Sequence, residues 1–124
     1  MARILIAEDE EGLRGFVARA LALDGHEVST APDGAEALDV IARHDGRFDL
    51  LLADVRMPVM DGIALALAAA RDYPEMIILL MTGYADQRER AHGLDALIQD
   101  VITKPFTLAE IRTAVNGALV QRTG

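Results

Sequence analysis

The chain has 124 residues, a net charge of −8 at pH 7 and no cysteine. That length suits one domain with a single core; the excess of acid works against nucleic acid, whose binding needs a basic surface to displace counterions; and the lack of thiols excludes disulfides and thiolate-held metal. Aromatic residues are 4% of the chain against 52% hydrophobic, with no Trp, so the core must be aliphatic and alanine-rich.

Arg3 to Ala7 is a short apolar β run that stops at Glu8-Asp9. It is too short for a secretory leader, and acids follow it directly. No stretch reaches the roughly 18 apolar residues of a membrane span. The chain is therefore expected to be soluble and cytoplasmic, with no membrane insertion. Leu13, Phe16, Val17, Ala20 and Leu21 then repeat at helical spacing, and Gly25 closes that helix. Glu27 to Ala31 is β-branched and half polar, as an edge strand would be. Pro32-Asp33-Gly34 is a turn and helix-start signal, and Ala37, Leu38 and Ile41 carry a helix on to Asp45-Gly46. Asp49 to Ala53 is almost continuously apolar, the pattern of a strand covered on both faces, and it ends at Asp54.

Met57 to Gly62 reads as loop, Ile63 to Arg71 as an alanine- and leucine-rich helix with Pro74 beyond its end. Met76 to Met81 is a second buried strand, ending at Thr82-Gly83. Asp86 to Gly93 has the look of a polar, solvated helix. Asp100 to Thr103 is a short strand stopped by Lys104-Pro105, and Leu108, Ile111, Val115 and Leu119 mark a last amphipathic helix. Strand and helix alternate five times, which predicts an α/β fold with a parallel sheet and right-handed crossovers. The polar second strand belongs at an edge and the apolar first, third and fourth belong inside. A doubly wound, flavodoxin-like (βα)5 sheet of order 2-1-3-4-5 satisfies both. His26, His44 and His92 stand apart from the predicted strand ends and are expected at the surface. Met57, Met60, Met76 and Met81 are expected in loop and core packing.

In such sheets ligands bind beyond the carboxyl ends of the strands. Those ends offer Glu8 and Asp9, then Asp54, then Thr82, then Lys104. Singly each has a bland reading: acids at a helix start, a turn aspartate, a helix cap, a solvated lysine. Together they converge on one crevice. Three close carboxylates repel one another, and a hard cation such as Mg²⁺, which takes oxygen ligands and shares sites with phosphate, relieves that. Lys104 can pair with a phosphoryl oxygen and Thr82 can donate a hydrogen bond to another. A carboxylate can act as nucleophile toward phosphorus, with metal and lysine neutralising the charge on the phosphoryl oxygens.

Four pieces in order carry a resemblance: Ile4-Leu5-Ile6-Ala7-Glu8-Asp9-Glu10, Leu52 to Gly62, Met81-Thr82-Gly83 and Thr103-Lys104-Pro105-Phe106. With them the chain resembles the CheY-like receiver domains of two-component response regulators along essentially its whole length. The resemblance implies that Asp54 accepts a phosphoryl group. It implies that Asp9 and Asp54 bind Mg²⁺, with Glu8 acting mainly through water and the backbone carbonyl of Arg56 as a further ligand. Thr82 would be the switch hydroxyl, Lys104 would pair with phosphate, and the bond before Pro105 would be cis. Receivers often carry Tyr or Phe three residues before the lysine, where this chain has Val101. Tyr84 is the candidate to replace that aromatic, and Arg56 and Tyr84 are expected to tune the lifetime of the phosphoryl group.

The partners implied are a histidine kinase or phosphotransfer protein as donor and a protein target in trans. A phosphorylation-dependent dimer belongs to the same expectation. The whole chain, 1–124, is read as a receiver domain with no output domain. It looks somewhat like the stand-alone CpdR-type receivers, which regulate a cytoplasmic AAA+ protease; another kinase is the other target class. The protein is read as a phosphoacceptor and not an enzyme, beyond self-phosphorylation and autodephosphorylation. Two other readings compete. A Mg²⁺ phosphohydrolase of the haloacid-dehalogenase type needs a second Asp two residues after the nucleophile, where Arg56 stands. A phosphorylation-independent binding module would not need the complete set of Glu8, Asp9, Asp54, Thr82 and Lys104.

Overall fold

The structure, a computed structural model, describes residues 2–83, 89–91 and 93–123. In chain order the elements are β1 (Arg3–Ala7), α1 (Glu11–Leu23), β2 (Glu27–Ala31), α2 (Gly34–Arg43), β3 (Leu50–Asp54), α3 (Gly62–Asp72), β4 (Ile77–Thr82), β5 (Asp100–Thr103) and α4 (Leu108–Thr123). All strand pairs are parallel, and the order across the sheet is β2-β1-β3-β4-β5. The fold is the expected flavodoxin-like one. Among the described residues no helix is long and apolar enough to cross a membrane.

Side chains alternate across a strand, and here both faces are covered. Leu5, Leu51, Ala53, Ile78 and Leu80 pack with α2 and α3 on one face. Ile4, Ile6, Leu50, Leu52, Leu79 and Met81 pack with α1 and α4 on the other. That two-sided burial is why β1, β3 and β4 read as unbroken apolar runs. Fully burying one Leu or Ile side chain contributes about 1.5–3 kcal/mol, and these strands supply most of the largest fully buried side chains among the described residues. Three helix starts are fixed by caps: Asp33 accepts from Glu36 N–H, and Asp61 from Ala64 N–H. Thr107 and Glu110 bond each other's backbone N–H reciprocally, a capping box.

Several expectations need correction. Phe16 is 39% exposed, because it sits about 100° around the helix from Val17, which faces the sheet with Leu21. Leu108 is 40% exposed; the inner face of α4 is made by Ile111, Val115 and Ala118. His26 is half-buried, and its Nε2 lies 2.8 Å from Asn116 Oδ1 on α4. His44 is also half-buried, set edge-on to Phe48. Of the helix expected at 86–93, Glu89–Ala91 is helical. Tyr84, Asp86 and His92 lie outside the described residues. The methionines pack as expected, with Met57, Met76 and Met81 buried.

Candidate phosphoryl and metal site

The sheet register brings the strand ends together. Ala7 pairs with Ala53, so Glu8 leaves β1 beside the point where β3 ends in Asp54. Asp54 pairs with Met81, and Thr82 pairs with Thr103, the residue before Lys104. Three backbone bonds extend the register past the carboxyl ends of the strands: Glu8 N–H to Ala31 O at 3.0 Å, Val55 N–H to Met81 O at 2.9 Å and Lys104 N–H to Thr82 O at 2.8 Å. The loop after Asp54 is closed by Gly62 N–H to Val55 O at 2.8 Å. Gly62 is required there, since a Cβ would lie 2.1 Å from the carbonyl oxygen of Asp54. The Lys104–Pro105 peptide bond is cis, as expected.

Glu8 and Asp54 are buried, 1% and 5% exposed. Lys104 Nζ spans them, 2.9 Å from Glu8 Oε1 and 2.8 Å from Asp54 Oδ2. Glu8 Oε2 accepts from Glu10 N–H at 3.1 Å. Asp54 Oδ1 lies 3.4 Å from Arg56 N–H, a weak contact. Burial pushes the Glu8 carboxyl up to about 7; the bonds from Lys104 and Glu10 pull against this, and the charge of Asp54 adds to it. Burial disfavours the Lys104 ammonium as well, but the hydrogen bonds and charges of Asp54 and Glu8 outweigh it and hold its pKa above the ordinary lysine value. The cluster carries more negative than positive charge, so the lysine keeps its proton while a carboxyl is the group inclined to take one up.

Glu8, Asp9 and Asp54 each offer an oxygen, all within 4.8 Å of one another. Ligands across one octahedral Mg²⁺ stand about 4 Å apart. Three carboxylates at this spacing are hard oxygen donors with excess negative charge, so the residues fit such an ion. They open into a groove of about 660 Å³ that Glu10, Leu13, Arg56, Gly83, Pro105 and Phe106 also line. Thr82 is 1% exposed at the end of β4, and its neighbour Gly83, not Thr82, faces the groove. Val101 is half-buried, packed against the core on the α2–α3 face. Leu13 and Phe106 form an apolar rim to the groove, a role that neither the helical spacing of Leu13 nor the Thr103-Lys104-Pro105-Phe106 piece assigns. Arg14, whose Nη1 donates to the Glu8 carbonyl oxygen at 2.9 Å, is not singled out by any pattern in the sequence.

The chain matches the response regulator receiver domain over residues 4–116. It is 38% identical over 121 residues to the response regulator MprA of Mycobacterium avium, covering 98% of this chain and 52% of that protein. The chain thus spans about half the length of the curated relatives it matches. Among solved structures, a CheY-like receiver domain protein from Methanospirillum hungatei superposes with a TM-score of 0.89 at 28% identity, covering 99% of this chain and 97% of that one. The chemotaxis protein CheY4 of Vibrio cholerae superposes at 0.83 with 30% identity, covering 95% and 98%.

Proposed function

The chain belongs to the response regulator receiver domain family, and from that membership we propose that Asp54 is its phosphoacceptor, assisted by Mg²⁺, and that phosphorylation changes its affinity for a protein partner. The observation that carries the reading is the Lys104 ammonium set between two buried carboxylates, 2.8 Å from Asp54 and 2.9 Å from Glu8. A buried aspartate beside a fixed cation can form an oxygen–phosphorus bond as the phosphorus–nitrogen bond of a phosphohistidine breaks. The leaving imidazole takes up a proton. Lys104 is already within reach of the Asp54 oxygens, and from there it pairs with the transferred group. Glu8, Asp9, Asp54 and the Arg56 carbonyl would hold Mg²⁺, which neutralises charge on the phosphoryl oxygens when bound. Thr82 is the hydroxyl that would answer the new charge. A histidine kinase or phosphotransfer protein is the donor class.

The test is intact mass after incubation with a small acyl phosphate or phosphoramidate and Mg²⁺, with Asp54→Asn alongside. The expected result is one added phosphoryl group on the wild type, stable in acid and labile in base, lost when Mg²⁺ is chelated and absent from the variant. Failure with the small donors and with a panel of histidine kinases alike would overturn the reading.

A further inference from the structure

Every polar group of Glu8 is engaged. Its N–H is bonded to Ala31 O, and its carboxylate accepts from Lys104 and Glu10. Its carbonyl lies one residue past the end of β1, and there the partner is a side chain, the Arg14 guanidinium at 2.9 Å. The peptide unit that holds this carbonyl also holds the Asp9 N–H and is planar. Fixing the carbonyl therefore fixes ψ of Glu8 and φ of Asp9 together, and with them the directions in which both carboxylates leave the chain. Asp9 is exposed, so its aim depends on that backbone more than on packing. Arg14 is in the first turn of α1, where a cation opposes the helix dipole; the stability of the helix itself does not explain it.

We propose that Arg14 is a positioning residue for the divalent cation, holding the Glu8–Asp9 peptide so that both carboxylates face the groove. The inference rests on the metal reading given above and goes beyond it by assigning a role to a side chain that neither binds the ion nor lines the groove. Electrostatics alone predicts the opposite sign, since removing a cation near a cation site should tighten binding. The sign of the effect therefore decides between the two.

The experiment is calorimetric titration of the full chain with Mg²⁺, for wild type, Arg14→Gln and Arg14→Lys, with thermal melting of each. Positioning predicts that Arg14→Gln raises the Mg²⁺ Kd about 5- to 10-fold and that Arg14→Lys, which can still donate to the carbonyl, recovers a large part of it. The Mg²⁺ concentration for half-maximal phosphorylation should rise by the same factor, with the rate at saturating Mg²⁺ within about twofold of wild type. Unchanged or tighter Mg²⁺ binding in Arg14→Gln, with or without a lower melting temperature, would overturn the proposal and leave the metal reading intact. If Arg14→Gln does not fold, Arg14→Met, which keeps an aliphatic stem and removes the donor, decides by the same criterion: a raised Kd supports positioning, and an unchanged or lower Kd overturns it. No binding by the wild type itself would overturn the metal reading, and this inference with it.

Discussion

At Glu8 the burial of the carboxyl and the nearby Asp54 charge act in the same direction, raising its folded-state pKa from 4.5 to about 7. A carboxyl with a raised pKa binds its proton more tightly in the folded than in the unfolded chain. Its contribution to stability is therefore complete below about pH 4.5 and is lost as pH climbs through about 7. The loss is on the order of 3 kcal/mol, since each pKa unit is worth about 1.4 kcal/mol. With divalent cations chelated, urea unfolding at a series of pH values should show stability falling between pH 5 and 8, and Glu8→Gln should flatten that slope. An equal slope in the variant would refute the assignment to Glu8. The sequence makes the identity of this residue plain, as one of two acids where an apolar run stops. Its environment is not plain there, because the lysine that spans it is 96 residues away and the arginine on its carbonyl has no distinguishing pattern.

Among the elements, β1, β3 and β4 were legible because two-sided burial leaves no polar residue inside them. The expected bounds of β1 hold, but the other two end a residue later: β3 runs on to include Asp54 and β4 to include Thr82, since Asp54 still pairs with Met81 and Thr82 with Thr103. Ladder hydrogen bonds set those ends, and hydropathy does not report them. The same limit applies to the glycines. Hydropathy gives no steric cost for either Gly62 or Gly117, but a Cβ at Gly62 meets the Asp54 carbonyl at 2.1 Å, whereas one at Gly117 on α4 meets nothing within 4 Å. Gly62→Ala should therefore destabilise by about 2–3 kcal/mol, as overpacking against backbone does, and displace the end of β3 that carries Asp54. Gly117→Ala should stabilise by about 0.5–1 kcal/mol through helix propensity alone. Urea midpoints measure both. Equal midpoints for the two variants would mean that the contact between the start of α3 and the end of β3 is softer than the structure shows.

For the whole molecule, the strand order followed from the polarity of β2, which is exposed or half-buried over four of its five residues and so could only be an edge. The pairing of α1 with α4 was not legible: Arg112 reaches Asp24 and Asn116 reaches both Asp24 and His26 across some 90 residues, and no local pattern announces contacts of that range. These helices cover one face of the sheet whose carboxyl end gathers the acids, in a chain of net charge −8. The unfolded chain scatters Glu8, Asp9 and Asp54, so a cation that they share binds the folded state alone. By linkage, Mg²⁺ at ten times its Kd should add about 1.4 kcal/mol to the free energy of unfolding, a rise of about 4–7 °C in Tm for a domain of this size. The comparison must be made at matched ionic strength, because monovalent salt also screens self-repulsion in an acidic protein. Chelation should reverse the shift, and Asp9→Asn and Asp54→Asn should each remove most of it. If those variants gained as much as the wild type, the stabilisation would come from diffuse screening of the −8 charge rather than from a cation held at the carboxyl end of the sheet.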